Sequence, residues 1–361
     1  MLRIAFLAIS QAHQFLHWLP AALRLAREPG VEVTIFGASD AGLDLVRSYD
    51  PDRLLRIRKL WTPHFARDGL FSPPKRRLVL LTHFLEIRRY PIIVTTETTS
   101  SLLYRLPGFR SRIIHLKHGA GDREGSYNPK HKHFDLTLVN GVKDKARLIE
   151  RGLVNDRNCE VVGYAKYELI PPRTGNEPAV PIAFYNPHFD EHLSSWFRYG
   201  EAVVRAMEQI ADWRFVVAPH VKLKDGPKIR SAASNVCIDM GSIQSIDMTY
   251  TEEAAVYIGD ISSQVYEFLR RPRPCIFLNF DRIAWAGNEN YAHWKLGQVI
   301  ERPEDLRQAL TQAAAMQSQF EPAQRDATLR SIDLSEEPAS ERQANAILGF
   351  ARRELGQPTA S

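Results

Sequence analysis

This chain of 361 residues lacks an apolar run long enough to cross a bilayer. Ile4 to Ile9 and Ile276 to Phe280 fall far short of the roughly 18–20 residues a spanning helix needs. Cysteine is scarce: Cys159, Cys237 and Cys275 stand singly beside strand-like apolar runs. That leaves no disulfide framework and no CxxC metal motif, and predicts three buried core thiols. There is no GxGxxG loop, no GxxxxGK[ST] loop, no HExxH and no paired DxD, so dinucleotide, P-loop and zinc-protease readings lose their usual support. A metal-independent mechanism is the default, with no metal ligands expected. No helix-turn-helix, zinc-finger or RNP-like pattern occurs, so nucleic acid is not an expected partner. Short-period repeats and low-complexity tracts are absent too.

What is present is ordinary globular usage, 44% apolar and 25% charged, with a net charge of +5. The first residues turn polar at Gln11 and His13, too soon for a secretory signal, and this predicts a cytoplasmic protein. Short β-branched runs alternate with helical patterns, the mark of an α/β chain with parallel sheets covered by helices. Strands are expected near Arg3–Ile9, Val31–Phe36, Ile92–Thr96, Arg112–Leu116, Leu136–Val139 and Glu160–Gly163. A second series is expected near Pro181–Tyr185, Arg214–Ala218, Val236–Asp239, Ala254–Ile258, Cys275–Phe280 and Gln298–Glu301. Between the series, Pro171 to Pro178 carries three prolines and a glycine, which exclude regular structure. The expected organisation is two Rossmann-like domains, 1–170 and 180–335, joined by a linker at 171–179. A tail at 336–361 holds a helix expected to pack back on the first domain.

Polar residues gather where these strands end. Tyr257 to Glu267 reads as a strand, a polar turn and an amphipathic helix, so Asp260, Ser262 and Ser263 stand where free N–H groups and hydroxyls receive phosphate. Ser262 or Ser263 also reads as a simple helix cap. His188, His220 and Lys222 follow the two preceding strands of that half, and ligands of open α/β sheets bind beyond such carboxyl ends. Together these residues describe a diphosphate site. In the first half, Lys117 to Ser126 is a glycine-rich loop holding His118, a candidate general base, with Asp122 as alternative base or orienting partner. Ser10 to Gln14 and Thr95 to Ser100 are polar strand ends able to line the same place. Finally, residues 53–89 concentrate Arg53, Arg56, Arg58, Lys59, Arg67, Lys75, Arg76, Arg77, Arg88 and Arg89 among aromatics, which reads as a surface for anionic lipid or as a solvated helix face.

In this order the motifs resemble those of CDP-glycerol glycerophosphotransferases of the teichoic-acid primase and polymerase type, in the GT-B-like group. His118-Gly119 is similar to that family's Trp-His-Gly, and Gly163 to Glu168 to its Gly-x-Pro-Arg-x-Asp. Tyr185-Asn186-Pro187 stands where the family has an apolar-Ala-Pro-Thr turn, Pro219-His220 resembles its His-Pro region, and Asp260 to Ser263 its Asp-Tyr-Ser-Ser. The likeness extends over about residues 115 to 280. Lys117, Ala165 and Lys166 depart from the pattern, and no proline follows His220. The resemblance implies two Rossmann-like domains facing each other across a cleft, with His118 as base and His220, Ser262 and Ser263 on the donor diphosphate. It further implies a nucleotide-diphosphate-activated donor, no separate cofactor, and a lipid-linked or glycan acceptor. Sugar-transferring relatives from capsule synthesis would use the same groups. Leu116 to Arg123 is also similar to the His-x-Glu-Ala-Gly-Leu-Arg loop of non-hydrolysing UDP-N-acetylglucosamine 2-epimerases. A nucleotide-binding scaffold without chemistry is the non-enzyme alternative.

Overall fold

The structure, a computed structural model, describes residues 1–62, 74–122, 127–170, 178–223 and 226–356. The chain forms two compact units. The first comprises Met1–His118, Tyr127–Leu169 and Ile332–Ser361, the second Gly119–Ser126 and Ile170–Ser331.

The first unit is a seven-stranded parallel sheet built from β1 (Leu2–Ala8), β2 (Val31–Gly37), β3 (Arg56–Lys59), β4 (Ile92–Thr95), β5 (Arg112–Leu116), β6 (Leu136–Val139) and β7 (Cys159–Val161). Their spatial order is β3-β2-β1-β4-β5-β6-β7. Helices α1 (Leu19–Ala26), α2 (Asp40–Ser48), α3 (Arg76–Thr82), α4 (Phe84–Ile87) and α5 (Val142–Glu150) lie between strands in the sequence. The central strands are buried along nearly their whole length, β1 except at Arg3 and β4 throughout, because crossover helices cover both sheet faces. β3 is absent from the expected strands. As an edge strand with the pattern Arg-Ile-Arg-Lys it buries little, so it shows no apolar run.

The second unit repeats the plan with β8 (Ile182–Asn186), β9 (Arg214–Val217), β10 (Val236–Ile238), β11 (Val256–Gly259), β12 (Cys275–Leu278) and β13 (Gln298–Ile300), in the order β10-β9-β8-β11-β12-β13, all parallel. Its helices are α6 (Ser195–Glu208), α7 (Thr249–Glu253), α8 (Gln264–Phe268) and the long α9 (Leu306–Ser331). Trp196, Val203, Val204 and Met207 of α6 fill its core against Phe215, Ile258 and Ile276. Cys159 and Cys275 are buried as expected, but Cys237 is exposed. It sits on β10 at the sheet edge, where one face of the strand is open.

After α9 the chain returns to the first unit as α10 (Ala339–Glu354). Glu168 receives both the backbone N–H (2.8 Å) and the hydroxyl (2.5 Å) of Ser340 at the start of α10. Asp333 is bonded to the backbone of Asn140 and pairs with Arg342 at 3.0 Å. The return therefore begins at Ile332, slightly before the expected 336. The expected linker lies outside the described residues at 171–177. Among the described residues no helix is long and apolar enough to cross a membrane.

Candidate functional site

In each sheet the strand order reverses direction at one point, between β1 and β4 in the first unit and between β8 and β11 in the second. Connections on either side of such a point leave in opposite directions and open a crevice beyond the carboxyl strand ends. The candidate residues follow these strands and their neighbours.

In the first unit His118 follows β5, half-buried. Its Nδ1 lies 2.9 Å from the carbonyl oxygen of Thr96, which follows β4. A carbonyl only accepts, so Nδ1 carries the proton and Nε2 presents its lone pair. Gln14, in the short helix Ala12–His17 after β1, has its amide nitrogen 3.2 Å from that Nε2. The Thr96 hydroxyl donates to the Gln14 amide oxygen at 3.3 Å, which turns the amide nitrogen toward the imidazole. Two polar strand ends thus hold His118 in the tautomer a general base requires. Nearby His17 is buried against Tyr164, ring centroids 4.9 Å apart. Its pKa is driven well below the ordinary histidine value, first by burial and then by the charges of Lys166 and His118, so it adds no cation beside the base. Lys117 is buried in an ion pair with Asp144 at 2.8 Å, and Tyr127 donates to the same oxygen at 2.8 Å.

Asp122 has a different place from the one expected. It belongs to the second unit, where it is buried. The Tyr266 hydroxyl donates to its Oδ2 at 2.6 Å, and Nδ1 of His293 lies 3.5 Å from that oxygen. An oxygen so engaged holds a loop in position. The same loop runs against Ser263 so closely that a Cβ on Gly121 would sit 2.8 Å from the serine Cβ. Gly121→Ala is therefore expected to cost about 1–3 kcal/mol through forced displacement of a packed contact, read as a lowered Tm. Residues 123–126 of this loop lie outside the described residues.

In the second unit Asp260, expected to face a diphosphate, turns both oxygens inward. Oδ1 accepts from the backbone N–H of His188 (2.9 Å) and Ile261 (2.8 Å). Oδ2 accepts from the backbone N–H (2.8 Å) and hydroxyl (2.9 Å) of Ser195. Tyr185 lies 2.7 Å from that hydroxyl oxygen, and since Ser195 donates to Asp260, Tyr185 donates to Ser195. Burial raises the pKa of Asp260 from its usual value, and the backbone and Ser195 hydrogen bonds oppose that rise. The backbone carbonyl of Asp260 accepts from Nε2 of His293 at 2.9 Å and from the Trp294 indole at 2.7 Å. Asp260 is thus a keystone joining the ends of β8 and β11 with the start of α6. Ser195 was not among the expected residues, because a serine at a helix start signals only a cap.

His188 and His220 follow β8 and β9. Nδ1 of His188 accepts from the backbone N–H of Asp190 at 3.1 Å, and Nδ1 of His220 from that of Lys222 at 3.2 Å. Both neutral rings therefore carry their proton on Nε2, the reverse of His118. The rings lie 6.0 Å apart, with Phe189 at 4.2 Å from one and 5.0 Å from the other, and the Lys222 ammonium lies 5.0 Å over the Phe189 ring. His188, His220 and Lys222 thus come together. A helix does start after Ser262 and Ser263, with Ser263 at the N-cap of α8, but α8 spans only five residues and Ser263 makes no side-chain cap. Ser262 is buried and its Oγ accepts from Gln264 N–H at 3.4 Å. No group of three or more His, Cys, Asp or Glu placed to hold a metal ion occurs among the described residues.

Solved structures share this architecture. The wall teichoic acid polymerase TagF is similar with a TM-score of 0.67 at 13% identity, covering 98% of this chain and 90% of that one. Staphylococcus aureus MnaA, solved with UDP, has a TM-score of 0.64 at 14% identity over the whole of both chains. The calicheamicin glycosyltransferase CalG4 has a TM-score of 0.56 at 17% identity, covering 98% and 99%. Two parallel-sheet Rossmann-like units with helices, as in GT-B glycosyltransferases, are thus this chain's fold. No protein-family model and no curated protein matches the sequence.

Proposed function

We propose that this protein is a transferase that moves a glycerol-phosphate or related alditol-phosphate group from a CDP-activated donor to a hydroxyl of a lipid-linked or glycan acceptor. One observation carries the reading: the strand-end histidines are held in opposite tautomers. His118 presents a lone pair on Nε2, whereas His188 and His220 present Nε2–H groups. A hydroxyl nucleophile needs the first, and a departing phosphate the second. In the step proposed, His118 takes the acceptor hydroxyl proton as that oxygen forms its bond to the donor's distal phosphorus. The anhydride bond breaks, and CMP leaves with the bond's electron pair. His188, His220 and Lys222 would receive its charge, with positioning supplying much of the rate. The reading needs no cofactor besides the activated donor. A TagF variant has been solved after soaking with CDPG, which favours this donor class among the relatives of the fold.

An inverting nucleotide-sugar transferase would use the same base and diphosphate donors, and MnaA with UDP favours a uridine nucleotide instead. A thermal-shift series with CMP, CDP, UDP, GDP and their activated glycerol, ribitol and sugar forms separates the readings. A ligand at 100 times its Kd adds about 2.7 kcal/mol of stability, so CDP and CDP-glycerol are expected to raise Tm and His220→Ala to abolish the rise. A shift confined to uridine nucleotides would replace the proposed donor, and no shift with any of them would leave a scaffold as the better reading.

A further inference from the structure

The basic stretch at 53–89 is not one surface. On β3 its charges are spent in pairs: Arg56 with Glu32 at 2.6 Å, Arg58 with Glu86 at 2.7 Å, and Lys59 with Asp40. Arg67 and Phe71 lie outside the described residues. The helical pair α3 and α4 is different. His83, with φ −104° and ψ 16°, is non-helical and separates the two short helices. One face sends Val79, Leu80 and Ile87 into the first unit's core. Leu78 (40% exposed) and Leu81 (49%), three residues apart on α3, form an exposed stripe, and Leu85 (67%) on α4 is exposed too. A soluble helix normally has a single apolar face, and α3 has two.

Trp61, 60% exposed, extends the stripe: the Nε2–H of His83 donates to its carbonyl at 2.8 Å and fixes its backbone beside the α3–α4 junction. Cations rim the leucines. Lys75, Arg77 and Arg89 are exposed, and none is in an ion pair among the described residues. A second copy of so basic a face would repel the first, and an apolar ligand pocket would not be ringed by solvated arginines. An anionic bilayer satisfies both features, with the leucines and indole among the acyl chains and the guanidinium groups at the phosphates.

The geometry points to α3–α4 and Trp61 as a monotopic docking face for anionic phospholipid, lying on the membrane without crossing it. This holds whatever group the protein transfers. Co-sedimentation of the full chain with phosphatidylcholine vesicles, with and without phosphatidylglycerol, tests it at low and high salt. Binding is expected to phosphatidylglycerol vesicles only, weakened by salt. Lys75→Gln/Arg77→Gln/Arg89→Gln should weaken it roughly a hundredfold, and Leu81→Ser/Leu85→Ser more than roughly tenfold, each with Tm unchanged because the side chains are exposed. Failure of the wild type to bind anionic vesicles, or equal binding by either variant, overturns the proposal. So does sedimentation velocity showing a wild-type dimer that the leucine variant dissociates, which would assign the stripe to a second copy.

Discussion

His118→Ala is expected to lower turnover by about 10²–10⁴-fold, the usual contribution of a positioned general base, with Tm and the KM for donor nearly unchanged. The imidazole is half-buried and hydrogen-bonds to the Thr96 carbonyl and the Gln14 amide, so its loss removes little packing. What disappears is the acceptor for the hydroxyl proton. A control follows from the same geometry. Gln14→Ala removes the amide that occupies Nε2 but leaves the Thr96 carbonyl holding Nδ1–H, so the tautomer survives and turnover should stay within about tenfold of wild type. The measurement is kcat and KM for donor in a transfer assay with the nucleotide identified by thermal shift. Unchanged turnover in His118→Ala would remove it from the chemistry.

Asp260→Ala is expected to destabilise the second unit by about 3–5 kcal/mol, the scale for deleting one partner of a buried charged network. Three backbone N–H groups and the Ser195 hydroxyl would lose their acceptor in a place water does not reach. At about 2–4 °C per kcal/mol for a unit of this size, Tm should fall by roughly 10 °C. Asp260→Asn should do little better, because an amide nitrogen would point at N–H donors on one side. Replacement of exposed Asp281, which pairs with Arg198 at the surface, should cost under about 1 kcal/mol. Thermal denaturation of the three variants decides it. A near-wild-type Tm for Asp260→Ala would mean the carboxylate is held for ligand binding after all.

These two residues mark the border of what could be read along the chain. Both stood out as polar groups following strands. At His118 the structure sets an acceptor against one ring nitrogen and a donor against the other, and at Asp260 it sets donors against both oxygens. Asp122 looked equivalent, five residues from the glycine-rich loop's start. Its partners Tyr266 and His293 lie far along the chain, and they turn it into a loop anchor. Ser262 and Ser263 carried the pattern of a helix start, yet α8 is too short for a developed dipole to support a phosphate. The basic run was visible too, but which of its charges are spent on Glu32, Asp40 and Glu86 depends on strand pairing.

Local pattern alone determined the α/β class, twelve of the thirteen strands among the described residues and the gathering of histidines after them, because burial on both sheet faces forces apolar runs and turns collect polar residues. The exposed edge strand Arg56–Lys59 had no such run to show. The tautomers of His118, His188 and His220, the inward turn of Asp260 and the exposed leucines of α3 and α4 were decided by the tertiary structure, since each depends on which distant groups, or none, the fold brings against a side chain.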